Sequence, residues 1–206
     1  MASTTDRLVW IDCEMTGLDV DSDELVEVAV VITDYDLTPI DPGFSIVIKP
    51  DQSALDGMGD FVRNMHEESG LLAEIPDGVS LADAEFAVNE YILKFVPTAG
   101  KAPLAGNTIG TDRAFLAKYM PRVDAHLHYR MVDVSSIKEL ARRWFPRVYI
   151  NAPAKNGGHR ALADILESIR ELEYYRKSVF VADPGPTTEE LQTISSGVVE
   201  DFASRL

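Results

Sequence analysis

Three runs of β-branched and aromatic residues come before any helical stretch in this chain. Arg7 to Asp12, Glu24 to Thr33 and Phe44 to Ile48 each read as a strand. Gly43 and Pro50 bound the third run, so the sheet begins as a meander. Helices and strands then alternate. Ala84, Val88, Tyr91, Ile92 and Phe95 follow helical spacing within Ala82 to Val96, and Pro97 ends that helix. Ala102 to Gly106 reads as a short strand, Asp112 to Met120 as a helix and Arg130 to Val134 as another strand. Ser136-Ile-Lys-Glu139 matches a capping box and predicts a helix from Ser136 with Ile137, Leu140, Ala141 and Trp144 as its stripe. Leu162, Ile165, Leu166, Ile169 and Leu172 predict a further helix. The break Asp183-Pro-Gly-Pro186 separates it from a last helix running towards Leu206. This order predicts an α/β fold with a mixed sheet, and 206 residues suit one domain, 1–206.

Charge narrows the function. Asp and Glu number 34 against 19 Lys and Arg, a net charge of −15. Such a chain repels long nucleic acid, whose non-specific affinity comes from basic side chains replacing counterions. Acting on phosphates then requires metal ions or one local basic site. No apolar run approaches the ~20 residues of a membrane span. The start, Met1 to Asp6, lacks the charged-then-apolar layout of a signal peptide. Cys13 is the single cysteine, which rules out an intrachain disulfide and fits a reducing cytoplasm.

Some acidic residues do not read as surface. Asp12 and Glu14 bracket Cys13, and a spacing of two puts both carboxylates on one face of an extended chain. Like charges that close are costly unless a cation sits between them, and hard cations want oxygen ligands. A solvated strand edge is the competing reading, with Cys13 pointing the other way as a core residue. On a helix through residues 112 to 120, Asp112 shares the apolar face of Phe115, Leu116, Tyr119 and Met120. It reads equally as an acid favoured at a helix start. Asp164, in the first turn of its helix, lies off the apolar stripe and reads alone as a solvated acid. Five residues earlier, His159 follows Asn156-Gly-Gly, a flexible lead-in that lets an imidazole reach a site and take a proton from water. A surface histidine is the plainer account.

Taken in order, these residues resemble the DEDDh 3′–5′ exonuclease family, most closely its oligoribonuclease branch. Val9-Trp-Ile-Asp-Cys-Glu-Met-Thr-Gly-Leu18, Gly106-Asn-Thr-Ile-Gly-Thr-Asp-Arg113, Tyr129-Arg-Met-Val-Asp-Val-Ser135, Lys138-Glu-Leu-Ala-Arg-Arg-Trp144 and His159-Arg-Ala-Leu-Ala-Asp-Ile165 carry it, across residues 7–176. The resemblance implies an RNase H-like fold with a mixed five-stranded sheet flanked by helices. It implies a cytoplasmic homodimer that removes nucleotides from the 3′ end of very short RNAs, chiefly dinucleotides. These include the linear products of cyclic di-nucleotide signalling. Two divalent cations, Mg²⁺ or Mn²⁺, would be held by Asp12, Glu14, Asp112 and Asp164, with His159 as general base.

The resemblance also implies substrate contacts. Leu18 resembles a wedge between two bases, His66 a neighbour of the 3′ nucleotide and Phe61 a stacking aromatic. Arg130 and Ser135 resemble a cap on the 5′ phosphate, with Thr108 where relatives often carry Ser and Tyr129 reaching in from the partner subunit. Plainer readings stand beside five of these. Leu18 reads as a turn-flanking apolar residue, His66 as a helix-surface group, Phe61 as core, Arg130 as one half of a salt bridge and Ser135 as a helix cap. From Arg130 to Arg160, seven basic residues face two acidic ones, which suits a small anionic substrate. The alternatives are an exonuclease for longer RNA or DNA and a non-catalytic dinucleotide-binding protein. All five catalytic-type residues are present, which gives the latter no support.

Overall fold

A computed structural model describes residues 6–154 and 158–205. Asn156 and Gly157 of the lead-in to His159, Lys155 of the basic segment, Met1 to Thr5 and Leu206 lie outside the described residues. The strands are β1 Leu8–Met15, β2 Leu25–Thr33, β3 Phe44–Val47, β4 Pro103–Gly106 and β5 His128–Asp133. The helices are α1 Gln52–Gly57, α2 Asp60–Glu68, α3 Leu71–Glu74, α4 Leu81–Phe95, α5 Gly110–Tyr119, α6 Pro121–His126, α7 Val134–Trp144, α8 Pro146–Ile150, α9 Ala161–Ser178 and α10 Thr188–Ala203. The five strands form one sheet in the order β3-β2-β1-β4-β5. Strands β1, β2 and β3 pair antiparallel, as expected of a meander, while β4 and β5 run parallel to β1. The expected mixed five-stranded α/β sheet is the observed one.

The pleat of β1 divides the core between the two faces of the sheet. Val9, Ile11, Cys13 and Met15 pack with Ala84, Val88 and Ile92 of α4 and with Phe115 and Leu116 of α5. Leu8 and Trp10 point the other way, onto Ala141 of α7 and Ile165, Ile169, Leu172 and Tyr175 of α9. Alternation therefore puts Asp12 and Glu14 on the α9 side of the sheet. The C-terminal ends of the parallel strands β1, β4 and β5 lie together, where ligands of open α/β sheets bind. Gly106 makes this approach close, because a Cβ there would stand 3.2 Å from the Ile11 carbonyl oxygen.

Several boundaries differ from expectation for physical reasons. Helix α7 starts at Val134, not Ser136, and the expected capping box is absent: Asp133 caps the helix by accepting from the Ser135 amide at 2.8 Å. Strand β5 runs straight into α7, so a strand residue supplies the cap. Helix α9 extends to Ser178 because Tyr175, beyond the expected stripe, is also buried against the sheet. The last helix does form, with a complete capping box from Thr187 and Glu190.

Trp10 ties β1 to β2 from inside this core, its indole N–H donating to Thr33 Oγ1 at 2.9 Å, with both residues buried. Thr33→Val keeps the shape but strands a buried donor, at a cost of about 1–3 kcal/mol. Urea unfolding is expected to show that loss for Thr33→Val and little for Thr33→Ser; equal midpoints for both variants would remove this bond from the account.

Candidate metal and catalytic centre

Asp12 and Glu14 leave β1 beside Asp164 in the first turn of α9, and one carboxylate oxygen from each lies within 4.8 Å of the other two. Glu14 is buried and the other two are half-buried. Burial and mutual repulsion push both strand acids upward. Asp12 rises well above the usual carboxylate range through burial, then through the charges of Asp112, Glu14, Asp164 and Glu27. Glu14 is pushed up to about 8 by burial and by Asp164, Glu27 and Asp112, with Arg160 opposing. Every donor in the group is a carboxylate oxygen, the set a hard divalent cation requires.

Asp112 joins from the other side of the sheet. It is both a first-turn acid of α5 and buried, so each of its two sequence readings describes part of the truth. Its Oδ1 accepts from the Cys13 amide at 3.0 Å, which anchors it to the backbone between Asp12 and Glu14. Burial raises it to about 6, against the lowering effect of that hydrogen bond.

A clamp holds the α9 side in place. Glu27, wholly buried in β2, accepts from Ser45 Oγ at 2.7 Å, from Arg160 Nη2 at 3.1 Å and from the Ala161 amide at 3.2 Å. Arg160 also makes a two-pronged contact with Glu74, at 2.8 and 2.9 Å. The root of α9, and with it the turn bearing Asp164, is thus fixed to the sheet. Arg160 counted towards the local positive charge; the structure spends it on this clamp. His159, immediately before it, is exposed with a left-handed backbone, φ 45°.

His66 is not a helix-surface group. It is fully buried, its Nε2 2.9 Å from the Met15 carbonyl and its Nδ1 3.9 Å from Glu14 Oε2. Only a protonated Nε2 can bond a carbonyl, and burial lowers the ring's affinity for a second proton. It supports the end of β1 as a neutral imidazole.

A second group forms where β4 and β5 end. The Thr108 amide donates to Asp133 Oδ1 at 3.1 Å and to Ser135 Oγ at 3.0 Å, while the two hydroxyls stand 3.1 Å apart. Ser135 in turn donates to Asn107 Oδ1 at 3.0 Å, so its hydroxyl is a bridge and the helix cap is Asp133. Thr108 sits at φ 54°, a strained conformation for a β-branched residue. Arg130 lies over the exposed Tyr129 ring at 5.4 Å and has no ion pair among the described residues. Leu18 and Phe61 are exposed, 76% and 81%, which excludes a core role for Phe61. Gly17 allows the turn before Leu18: a Cβ there would stand 2.4 Å from Asp23, whose carboxylate already binds the Thr16 hydroxyl and the Asp19 amide.

A family model described as Exonuclease matches residues 9–172. An oligoribonuclease of Leifsonia xyli subsp. xyli is 73% identical over 206 residues, covering the whole of both chains. The chain belongs to the oligoribonuclease family of exonucleases. Another member, from Streptomyces griseus, is 56% identical over 191 residues, 93% of this chain and 95% of that one. Among solved structures, exonuclease I from Methylocaldum szegediense superposes with a TM-score of 0.65 at 19% identity, over 84% of this chain. The chain spans only 41% of that longer enzyme, and the likeness establishes the RNase H-like fold. Membership sets the class of enzyme: a metal-dependent 3′–5′ exoribonuclease.

For an oligoribonuclease fold that gathers acids so tightly, pH and metal act on stability together. Without metal, folded Glu14 keeps its proton up to about pH 8, whereas the unfolded chain loses it near the ordinary value of 4.5. Between these values the folded state binds more protons, so stability falls as pH rises. Cation binding displaces those protons, and its stabilising effect grows over the same interval. Denaturant midpoints in chelator are expected to decline from about pH 5 to about pH 8, and Mn²⁺ to reverse the decline. A chelator midpoint that climbs across that interval would contradict the account of Glu14.

Proposed function

We propose that this enzyme removes nucleotides from the 3′ end of very short RNAs, chiefly dinucleotides, including linear products of cyclic di-nucleotide signalling. Two divalent cations, Mg²⁺ or Mn²⁺, are held by Asp12, Glu14, Asp112 and Asp164. The observation that carries this reading is the convergence of Asp12, Glu14 and Asp164 within 4.8 Å, with Asp112 anchored one residue away at Cys13. When bound, the cations supply the Lewis acidity that activates the attacking water and offsets charge on the leaving 3′ oxygen. His159, exposed and one residue before Arg160 of the clamp, takes the proton of the attacking water. His66 and the Glu27–Arg160 clamp hold the acids in place while charge shifts.

Substrate length is set by what closes the far end. Arg130, with Thr108 and Ser135 at the start of α7, binds the 5′ phosphate, and Tyr129 of a second subunit completes the cap in a homodimer. Leu18 and Phe61, both exposed, contact the bases. The net charge of −15 disfavours a long polymer, which lacks a terminal phosphate within reach of Arg130. The whole chain, 1–206, serves as one exonuclease domain. Its compartment is the cytoplasm, where short RNA accumulates and where Cys13 stays reduced.

A length series tests this. With 5′-labelled RNAs of two to about seven nucleotides, single-turnover rates in Mn²⁺ are expected to peak sharply at the dinucleotide and to vanish in chelator. Rates flat or rising with length would instead indicate a longer RNA or DNA as substrate, and tight binding without cleavage a binding module. Asp12→Ala is expected to lower the rate by at least ~10³-fold, since it removes metal-borne stabilisation worth several kcal/mol. Arg130→Ala is expected to slow dinucleotides by about 10- to 100-fold while sparing longer oligomers. Equal losses at every length would discard the cap.

A further inference from the structure

Helix α10 is well begun and poorly covered. Thr187 and Glu190 complete its capping box, yet none of its residues is buried. Leu191, Ile194, Val198, Val199 and Phe202 are 51% to 67% exposed, and 191, 194, 198 and 202 share one face at helical spacing. An uncovered helix of 16 residues is marginal in water, so this face calls for a partner surface.

The same chain carries a matching surface. Along α7 and α8, Leu140, Trp144, Phe145 and Ile150 are 44% to 77% exposed. Lys138, Arg142, Arg143 and Arg147 on this face outnumber its one acid, Glu139, which pairs with Arg142 and Arg143, whereas α10 carries Glu189, Glu190, Glu200 and Asp201 and no basic residue. The two apolar faces are therefore complementary in charge, and the acidic helix would be repelled by an anionic membrane. A two-fold axis makes each such contact twice, which doubles the area one arm buries towards the ~1,600 Å² of a standard interface.

We propose that α10 is an arm that lies on the α7–α8 face of a second copy of this chain. The inference rests on the homodimer reading above and adds the element that holds the dimer.

Cross-linking of mixed chains tests it. Tagged full-length Val198→Cys is mixed with untagged Trp144→Cys and treated with a short bis-thiol reagent; native Cys13 is buried and stays silent. The expected product is a covalent dimer of one tagged and one untagged chain. Replacing Leu191 and Val198 with Asp, both exposed and so harmless to folding, is expected to weaken the dimer at least ~10-fold in sedimentation. A Trp144→Cys/Val198→Cys chain that links only within itself would overturn the proposal, as would an unchanged dimer in the Asp variant. Dinucleotide cleavage is measured separately on the unsubstituted protein. Cleavage without a mixed dimer sinks the arm and spares the activity; a mixed dimer without cleavage supports the arm and sinks the activity.

Discussion

In the β1–β2 register, Glu14 stands directly opposite Glu27, and like charges in that position repel. The two are resolved in different ways. Glu27 has its own cation, Arg160, together with the Ala161 amide and the Ser45 hydroxyl. Among the described residues, Glu14 has a neutral imidazole at 3.9 Å and two further acids, Asp12 and Asp164, closing on it, with Arg160 acting on it without an ion pair. One carboxylate of the pair is thus satisfied by the fold, and the other is left in an acidic cluster whose charge a divalent cation would offset. Because side chains alternate along a strand, a one-residue slip of β1 would turn Asp12 and Glu14 to the other face and dissolve the arrangement.

The rest of the site inherits its rigidity from this pairing. Arg160 reaches from the start of α9 to Glu27 on one side and Glu74 on the other, so the sheet and α3 grip the same residue. Asp164 comes one turn later and His159 immediately before. On the opposite edge, β5 passes into α7 without a loop, and Asp133 serves Thr108 and Ser135 with the same oxygen. Both polar groups, the acidic cluster and the one around Asp133, therefore stand on strand ends and helix starts rather than on long loops.

How much of this was legible in the sequence varied with the range of the interaction. The Asp12–Glu14 pair follows from strand alternation, and the burial of Asp112 from the helical spacing of its apolar neighbours; both are local rules. Glu27 was missed although it left a trace, a lone charge in the apolar run from Leu25 to Thr33. Its partner lies 133 residues away, beyond any local pattern. His66 carries no sequence mark of burial, because its bond to the Met15 carbonyl exists only once α2 packs against β1. The capping signal at Ser136 misled for a related reason: Ser-x-x-Glu looks the same whether a helix begins there or two residues earlier. Helices α1 and α3 are too short to show a period and owe their existence to what they pack against.

The pleat that turns Asp12 and Glu14 towards Asp164 also decides what becomes of the residue between them. Cys13 gives both its amide and its thiol to Asp112, on the face of the sheet that carries Val9, Ile11 and Met15. Burial and the surrounding carboxylates push that thiol well above its usual range, so the thiolate hardly forms. Thiolate is the form that peroxide oxidises and that soft ions such as zinc or copper seek. A sulfur one residue from two clustered carboxylates is thereby held as a thiol, the form less open to oxidation and to soft ions.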